Sequence, residues 1–278
     1  SRMLDAHHHL WQYDATQYPW IEGTSALAKN YLLPELIENT TAAEVTGTVV
    51  VQARQTLEES DWLLELSDQC DLIRGVVGWV PLADPEVTDH LDRLAQHHKF
   101  KAVRHVVQDE PDDNFILGTE FNCGIAKLKD YDLVYDILIF QRHLPQTLEF
   151  VDRHPGQSFV IDHIAKPVIH NGRIEDEWQH GMTALAERDN VSAVKISGMV
   201  TEVTNSQIDE ATLKNYFERS LEIFGPERLC FGTDWPVCLL RIDSYVDWAN
   251  SVRGYVADLT EEEQHAILQE NCEKAYRL

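Results

Sequence analysis

One pattern constrains this chain more than any other. A short run rich in Val and Ile, apolar nearly throughout, recurs eight times, and longer stretches with apolar residues about every 3.6 positions separate the runs. The runs occupy 3–7, 46–52, 73–80, 100–107, 133–140, 159–164, 191–197 and 229–234. They lack the alternation of a half-exposed strand, so both faces are to be buried, as in a parallel sheet. Amphipathic helices are predicted over 57–70, 85–98, 118–130, 145–154, 176–188 and 213–224. A closing helix begins at Thr260, whose hydroxyl and Glu263 form a capping box. Strand followed by helix, eight times over, predicts an α/β protein built as a (β/α)8 TIM barrel. A doubly wound open sheet is the structural alternative, but no GxGxxG turn follows any of the runs, so it would lack the usual dinucleotide cradle. With no linker or low-complexity tract, residues 1–278 are expected to form a single domain. Ser1 and Arg2 precede Met3 and are set aside as a foreign leader.

The balance of 47 acidic against 23 basic residues gives a formal net charge of −24. A field of that sign repels polyanions, which argues against nucleic acid and anionic membrane as partners. The five cysteines form no CxxC pair and are odd in number, which suits reduced thiols in a cytoplasm better than a disulfide scaffold. No stretch has the length and apolarity of an export signal or membrane span. A homo-oligomer is left open.

Barrels of this kind place their chemistry at the C-terminal ends of the strands. Ionisable and polar side chains gather there: His7 and His9 on the first run, Gln52 on the second, Arg104 and His105 on the fourth. Asp162 and His163 end the sixth, with Lys166 just beyond, then Lys195 and Ser197 the seventh and Asp234 the eighth. Core packing alone does not require charges at one rim, and buried charges persist mainly where they pair or work. The three consecutive histidines, His7-His8-His9, are too few and too deeply set in apolar sequence for a purification tag. On a strand, residues i and i+2 share a face, so His7 and His9 are expected to point into the barrel mouth and His8 away from it. Two such imidazoles with Asp234 facing them form a candidate metal set, His163 lying nearby.

Together, Asp5-Ala6-His7-His8-His9-Leu10-Trp11, Tyr18-Pro19-Trp20, Val103-Arg104-His105, Asp162-His163-Ile164-Ala165-Lys166-Pro167, Lys195-Ile196-Ser197-Gly198 and Gly232-Thr233-Asp234-Trp235-Pro236 resemble the amidohydrolase superfamily. The likeness is to its amidohydrolase 2 type, in the sugar-lactonase branch that contains L-fuconolactonase and L-rhamnonolactonase, and it covers nearly the whole chain. It implies a lactonase in which Asp234 is the general base, His7 and His9 the first-strand pair and His163 the sixth-strand histidine. Two places depart from the superfamily's metal pattern. Arg104-His105 stands where a bridging lysine or glutamate is common, and the fifth run, 133–140, lacks a histidine. A two-metal centre is therefore not expected; one divalent ion, zinc or similar, is the most the site would hold, and lactone hydrolysis need not require it.

The expected substrate is a small polyhydroxylated lactone. Arg104, His105, Gln52, Lys166, Trp11 and Trp235 are the expected contacts, since indoles stack on sugar C–H faces and polar side chains bond hydroxyls. An oxyanion forms at the carbonyl, where each well-placed donor is worth roughly 3 kcal/mol. A metal-dependent decarboxylase or pyrone-dicarboxylate hydrolase is the competing activity, and it would want several arginines for substrate carboxylates. A non-catalytic ligand-binding barrel would not need the aspartate and the histidine pair.

Overall fold

A computed structural model describes residues 2–170, 172–204 and 207–278; Ser1 lies outside the described residues. Eight strands run parallel in the order of the sequence: β1 (Met3–His8), β2 (Val45–Val51), β3 (Ile73–Gly78), β4 (Phe100–His105), β5 (Val134–Ile137), β6 (Phe159–Ile161), β7 (Val191–Ile196) and β8 (Leu229–Phe231). The sheet closes on itself where β1 meets the segment after β8: His9 N–H donates to Trp235 O at 2.7 Å and Asp234 N–H to His7 O at 2.8 Å. The seam of the barrel is thus also where His7, His9 and Asp234 come together.

Helices α1 (Leu33–Ala43), α2 (Leu57–Asp68), α3 (Val87–Leu94), α4 (Thr119–Ile125), α5 (Leu144–Arg153), α6 (Asp176–Ala186), α7 (Glu210–Phe224) and α8 (Tyr245–Val256) follow the strands in turn. The chain ends in α9 (Glu261–His265) and α10 (Asn271–Tyr276). The expected capping box is present, with Thr260 Oγ1 accepting from Glu263 N and Glu263 accepting from Thr260 N, both at 3.1 Å. Helices α1 and α8 had no sequence expectation. Both mix β-branched, Asn, Ser or Thr residues with their apolar positions, which weakens the local helix signal. Packing against each other and on the barrel supplies what propensity does not.

The barrel interior is filled at its lower end by small and branched residues, Leu4, Ala6, Val49, Val51, Val77, Ala102, Val134, Val160, Ala193 and Cys230. Cys272, Ala275 and Tyr276 of α10 plug the bottom. Two residues further along four of these strands the interior turns ionic, at Arg104, Asp136, Asp162 and Lys195. The apolar layer is the floor on which the site is built.

Candidate active site

Lys195 is fully buried and spends its ammonium hydrogens on three neighbours. Its Nζ lies 2.8 Å from Asp136 Oδ2, 3.1 Å from Asp162 Oδ1 and 3.0 Å from His7 Nδ1. Tyr276 donates from below to Asp136 at 2.7 Å. Arg104 completes the layer, giving Nη1 to Asp162 at 3.1 Å, Nε to Gln52 Oε1 at 2.6 Å and Nη2 to Gln52 O at 2.8 Å. Two cations and two carboxylates balance in a buried layer, as such burial demands. Burial alone would lower the Lys195 ammonium, but Asp136 and Asp162 more than reverse this and raise it. Burial pushes the Asp136 carboxyl up to about 6 against the pull of Lys195. For Asp162 burial is outweighed by Lys195 and Arg104, and the group is held below the ordinary carboxylate value.

Above this layer stand the histidines. Strict alternation from Leu4 and Ala6 would turn His8 inward. An irregularity in the β1–β2 register between Asp5 and His8 shifts the phase. His7 and His9 consequently share the inner side, their Nε2 atoms 3.2 Å apart. His8 is turned outward and gives its Nε2 to a 2.9 Å contact with Thr48 Oγ1, and burial drives its pKa down to about 3. Asp5, on the outer side, clamps the seam by accepting from His7 N, Thr233 N, Thr233 Oγ1 and Tyr245 OH.

Asp234 faces the imidazoles. Its Oδ1 is 3.2 Å from His9 Nε2, 3.6 Å from His7 Nε2 and 3.7 Å from His163 Nε2. Burial works to raise its carboxyl, but His163, His9 and Lys166 together hold it below the ordinary value, so it is a carboxylate at neutral pH. Burial keeps His7 and His163 well below their ordinary values, with Lys195 adding to the effect at His7, and both rings are neutral. His9 gives its Nδ1 hydrogen to Val51 O at 2.8 Å, which turns its Nε2 toward Asp234. His7, with Lys195 against Nδ1, carries its hydrogen on Nε2. His163 Nδ1 lies 2.7 Å from Ser197 Oγ.

His163 and Lys166 reach the mouth through unusual backbone. Residues 163–166 have φ of 55°, 45°, 61° and 46°, four successive left-handed residues with no glycine among them. Each costs on the order of 1–2 kcal/mol for an L-residue, so surrounding contacts must hold the turn. Trp178 Nε1 donates to Ile164 O at 2.7 Å, and Lys166 N to His163 O at 2.8 Å. Gly198 makes room: a Cβ there would lie 2.5 Å from the His163 ring. Strands β5, β6 and β8 stop earlier than expected, and after β6 and β8 the chain turns off the sheet to aim His163 and Asp234, itself at φ 55°.

The other expected contacts separate. Lys166 sits at the mouth, its Nζ 4.0 Å from Glu202 Oε2 and 5.4 Å from the Phe140 ring centre. Gln52 is buried and orients Arg104. His105 faces outward, because alternation that turns Arg104 inward must turn its neighbour out. It meets Glu110 at 3.1 Å, receives Trp79 Nε1 at 3.2 Å and stacks on Phe115. Trp11 is buried with its Nε1 on Leu27 O and Lys29 O, and Trp235 is buried between Tyr31 and Tyr245. Asp5, Asp136 and Asp162 carried no assigned role beforehand. A signal existed for the last two: Val134-x-Asp136 and Val160-x-Asp162 continue the inward alternation, as do Ala102-x-Arg104 and Ala193-x-Lys195.

The donor atoms of His7, His9 and Asp234 lie within the separations that ligands about 2 Å from one tetrahedral ion would have. They fit a single divalent cation, with His7 joining when it releases its Nε2 hydrogen. His7, Asp162 and His163 form a second, overlapping group.

A (β/α)8 barrel with a carboxylate and neutral imidazoles at its C-terminal mouth defines a hydrolase-type site of the amidohydrolase kind. The match to the amidohydrolase family runs over residues 4–278, and the chain belongs to it. It is 35% identical over 289 aligned residues to an L-fucono-1,5-lactonase of Burkholderia multivorans, covering 99% of this chain and 96% of the other. It is 24% identical to an L-rhamnono-gamma-lactonase of Scheffersomyces stipitis, with 86% of each covered. A crystal structure of an amidohydrolase from Burkholderia multivorans with bound zinc superposes over all of both chains with TM-score 0.94 and 34% identity. Structures described as pyrone-dicarboxylic acid hydrolases or decarboxylases match at 10–18% identity, a likeness of fold alone.

Proposed function

We propose that this protein is a hydrolase that opens the ring of a sugar-acid lactone, an aldonolactone of the fuconolactone or rhamnonolactone kind, by attack of water with Asp234 as general base. The observation that carries this reading is Asp234 facing three imidazoles at the barrel mouth, its Oδ1 3.2 Å from His9, 3.6 Å from His7 and 3.7 Å from His163. A carboxylate so placed accepts a proton from water as the oxygen attacks. The carbonyl oxygen becomes an oxyanion, and the His7 Nε2–H and the Lys166 ammonium are the donors at hand to meet it. His163, held by Ser197, positions the water against Asp234, while Arg104, committed to Gln52 and Asp162, holds the floor. The similarity to lactonases supports an ester substrate of this class.

His7, His9 and Asp234, with His163 beside them, would hold one divalent ion, zinc or similar, and such an ion would polarise the carbonyl or bound water. An ester is activated enough to open without it, so we take the ion to be dispensable for turnover. The competing decarboxylase and pyrone-dicarboxylate reactions need free arginines, and the donors of Arg104 are engaged inside the protein. A non-catalytic binding barrel has no use for the charge balance that keeps Asp234 ionised. Five unpaired thiols suit a reducing cytoplasm, and among the described residues no helix is long and apolar enough to cross a membrane.

Purified protein assayed with a pH indicator against five- and six-membered sugar lactones is expected to release acid. Asp234→Asn should fold normally and lose on the order of 10²–10⁴-fold in turnover. A folded variant with undiminished turnover would remove Asp234 as the base, and inactivity of the wild type on every lactone would remove the function itself.

A further inference from the structure

Opening a lactone leaves an alkoxide on the sugar, and a poor leaving group of this kind departs fastest when protonated as its bond breaks. Glu202 is placed for that task. It lies on the one-turn helix Val200–Glu202 that follows β7, and this turn packs against the turn Val237–Leu240 that follows Asp234. The side chain is mostly sheltered, with 16% of its surface exposed, and so is its neighbour Lys166 with 13%. The two reach the mouth from adjacent loops.

The hydrogen-bond arithmetic at Thr201 bears on the form Glu202 takes. Thr201 Oγ1 lies 3.0 Å from Gly198 O and 3.0 Å from Glu202 Oε2. A hydroxyl has one hydrogen, and the Gly198 carbonyl can only accept it. A carboxylic acid at Glu202 resolves the competition by donating to Thr201, whereas a carboxylate leaves two acceptors sharing one hydrogen. Burial raises the Glu202 carboxyl, Lys166 and then the Thr201 hydroxyl oppose, the negative charge of Asp234 adds to the rise, and the balance is upward.

Resting on the lactonase reading above, we propose that Glu202 is the general acid that protonates the ring oxygen as the lactone opens. Water gives one proton to Asp234 and its oxygen bonds to the carbonyl carbon. The bond from that carbon to the ring oxygen then breaks, its electron pair stays on the ring oxygen, and the Glu202 proton converts it to a hydroxyl. The new carboxylic acid returns a proton to Glu202, Asp234 loses its own to solvent, and one proton is released for each lactone opened. Lys166, beside Glu202, balances the charge when Glu202 is momentarily ionised.

The test compares a sugar δ-lactone with its thiolactone, in which sulfur replaces the ring oxygen and every hydroxyl is kept. A thiolate leaves without a proton. Glu202→Gln is expected to lower kcat on the oxygen lactone on the order of 10²-fold while leaving the thiolactone within about threefold. Asp234→Asn should depress both, and Glu202→Asp should restore part of the lost turnover. Equal losses of Glu202→Gln on the two substrates, or undiminished turnover of the oxygen lactone, would overturn the assignment. Failure of the wild type on every lactone would instead overturn the function on which it rests, so the two failures are told apart.

Discussion

Replacing Lys195 by Met is the sharpest probe of the ionic layer. The methionine fills similar volume but removes the three contacts at 2.8, 3.1 and 3.0 Å to Asp136, Asp162 and His7. Arg104 alone then faces two buried carboxylates. Breaking a buried pair from one side costs about 3–5 kcal/mol, because the remaining charge is stranded. An unfolding entropy of about 2.1 cal/mol/K per residue over 278 residues is near 0.6 kcal/mol/K, so Tm should drop by roughly 5–9 °C. The pH dependence contributed by Asp162 changes sign as well. In the native protein Asp162 is held below its ordinary 3.8, so it contributes stability above that value and loses it as pH falls through the lowered one. Without Lys195, burial raises Asp136 further and drives Asp162 upward from its lowered value. Their contribution is then intact below 3.8 and lost as pH climbs through the raised folded values. The Tm deficit should therefore be larger at about pH 8 than at about pH 5. Adding Asp136→Asn to Lys195→Met leaves Arg104 paired with Asp162 and should recover at least half the loss. Scanning calorimetry of Lys195→Met, Asp136→Asn and the double variant decides the matter. A drop under about 2 °C for Lys195→Met, or a double variant no better than the sum of the singles, would refute the charge-balance argument.

Two further outcomes follow from the geometry. His7→Ala with His9→Ala should impair lactone turnover far more than His8→Ala, because His8 faces Thr48 and not Asp234; equal losses in folded protein would mean the phase shift in β1 is misplaced. Chelation followed by metal analysis should strip any divalent ion while turnover persists, and loss of activity that returns on adding zinc would show that the ion is required.

The barrel was legible in the chain because burying both faces of a parallel strand writes Val and Ile runs that composition cannot hide. Helices α1 and α8 were not, since their stability comes from packing on the barrel and on each other. Asp234, His9 and His163 were legible as polar residues where strands end; that His7 and His9 share one side was legible in their spacing, but which side was not. Arg104 was legible as an inward group, and alternation turns its neighbour His105 to the other side of the strand.

What the sequence by itself determined is the order of strand and helix and the ionisable residues delivered to one rim, for these depend on local periodicity and residue type. The tertiary structure alone decided which of those residues meet. A register slip within β1 set the facing of three histidines, and four left-handed residues without a glycine aimed His163 and Lys166. Trp11 and Trp235 were withdrawn into the packing. Each of these turns on contacts between residues far apart in the chain, such as Trp178 holding Ile164 or Asp5 holding Thr233 and Tyr245, and a distant contact that overrides local preference leaves no local pattern to read.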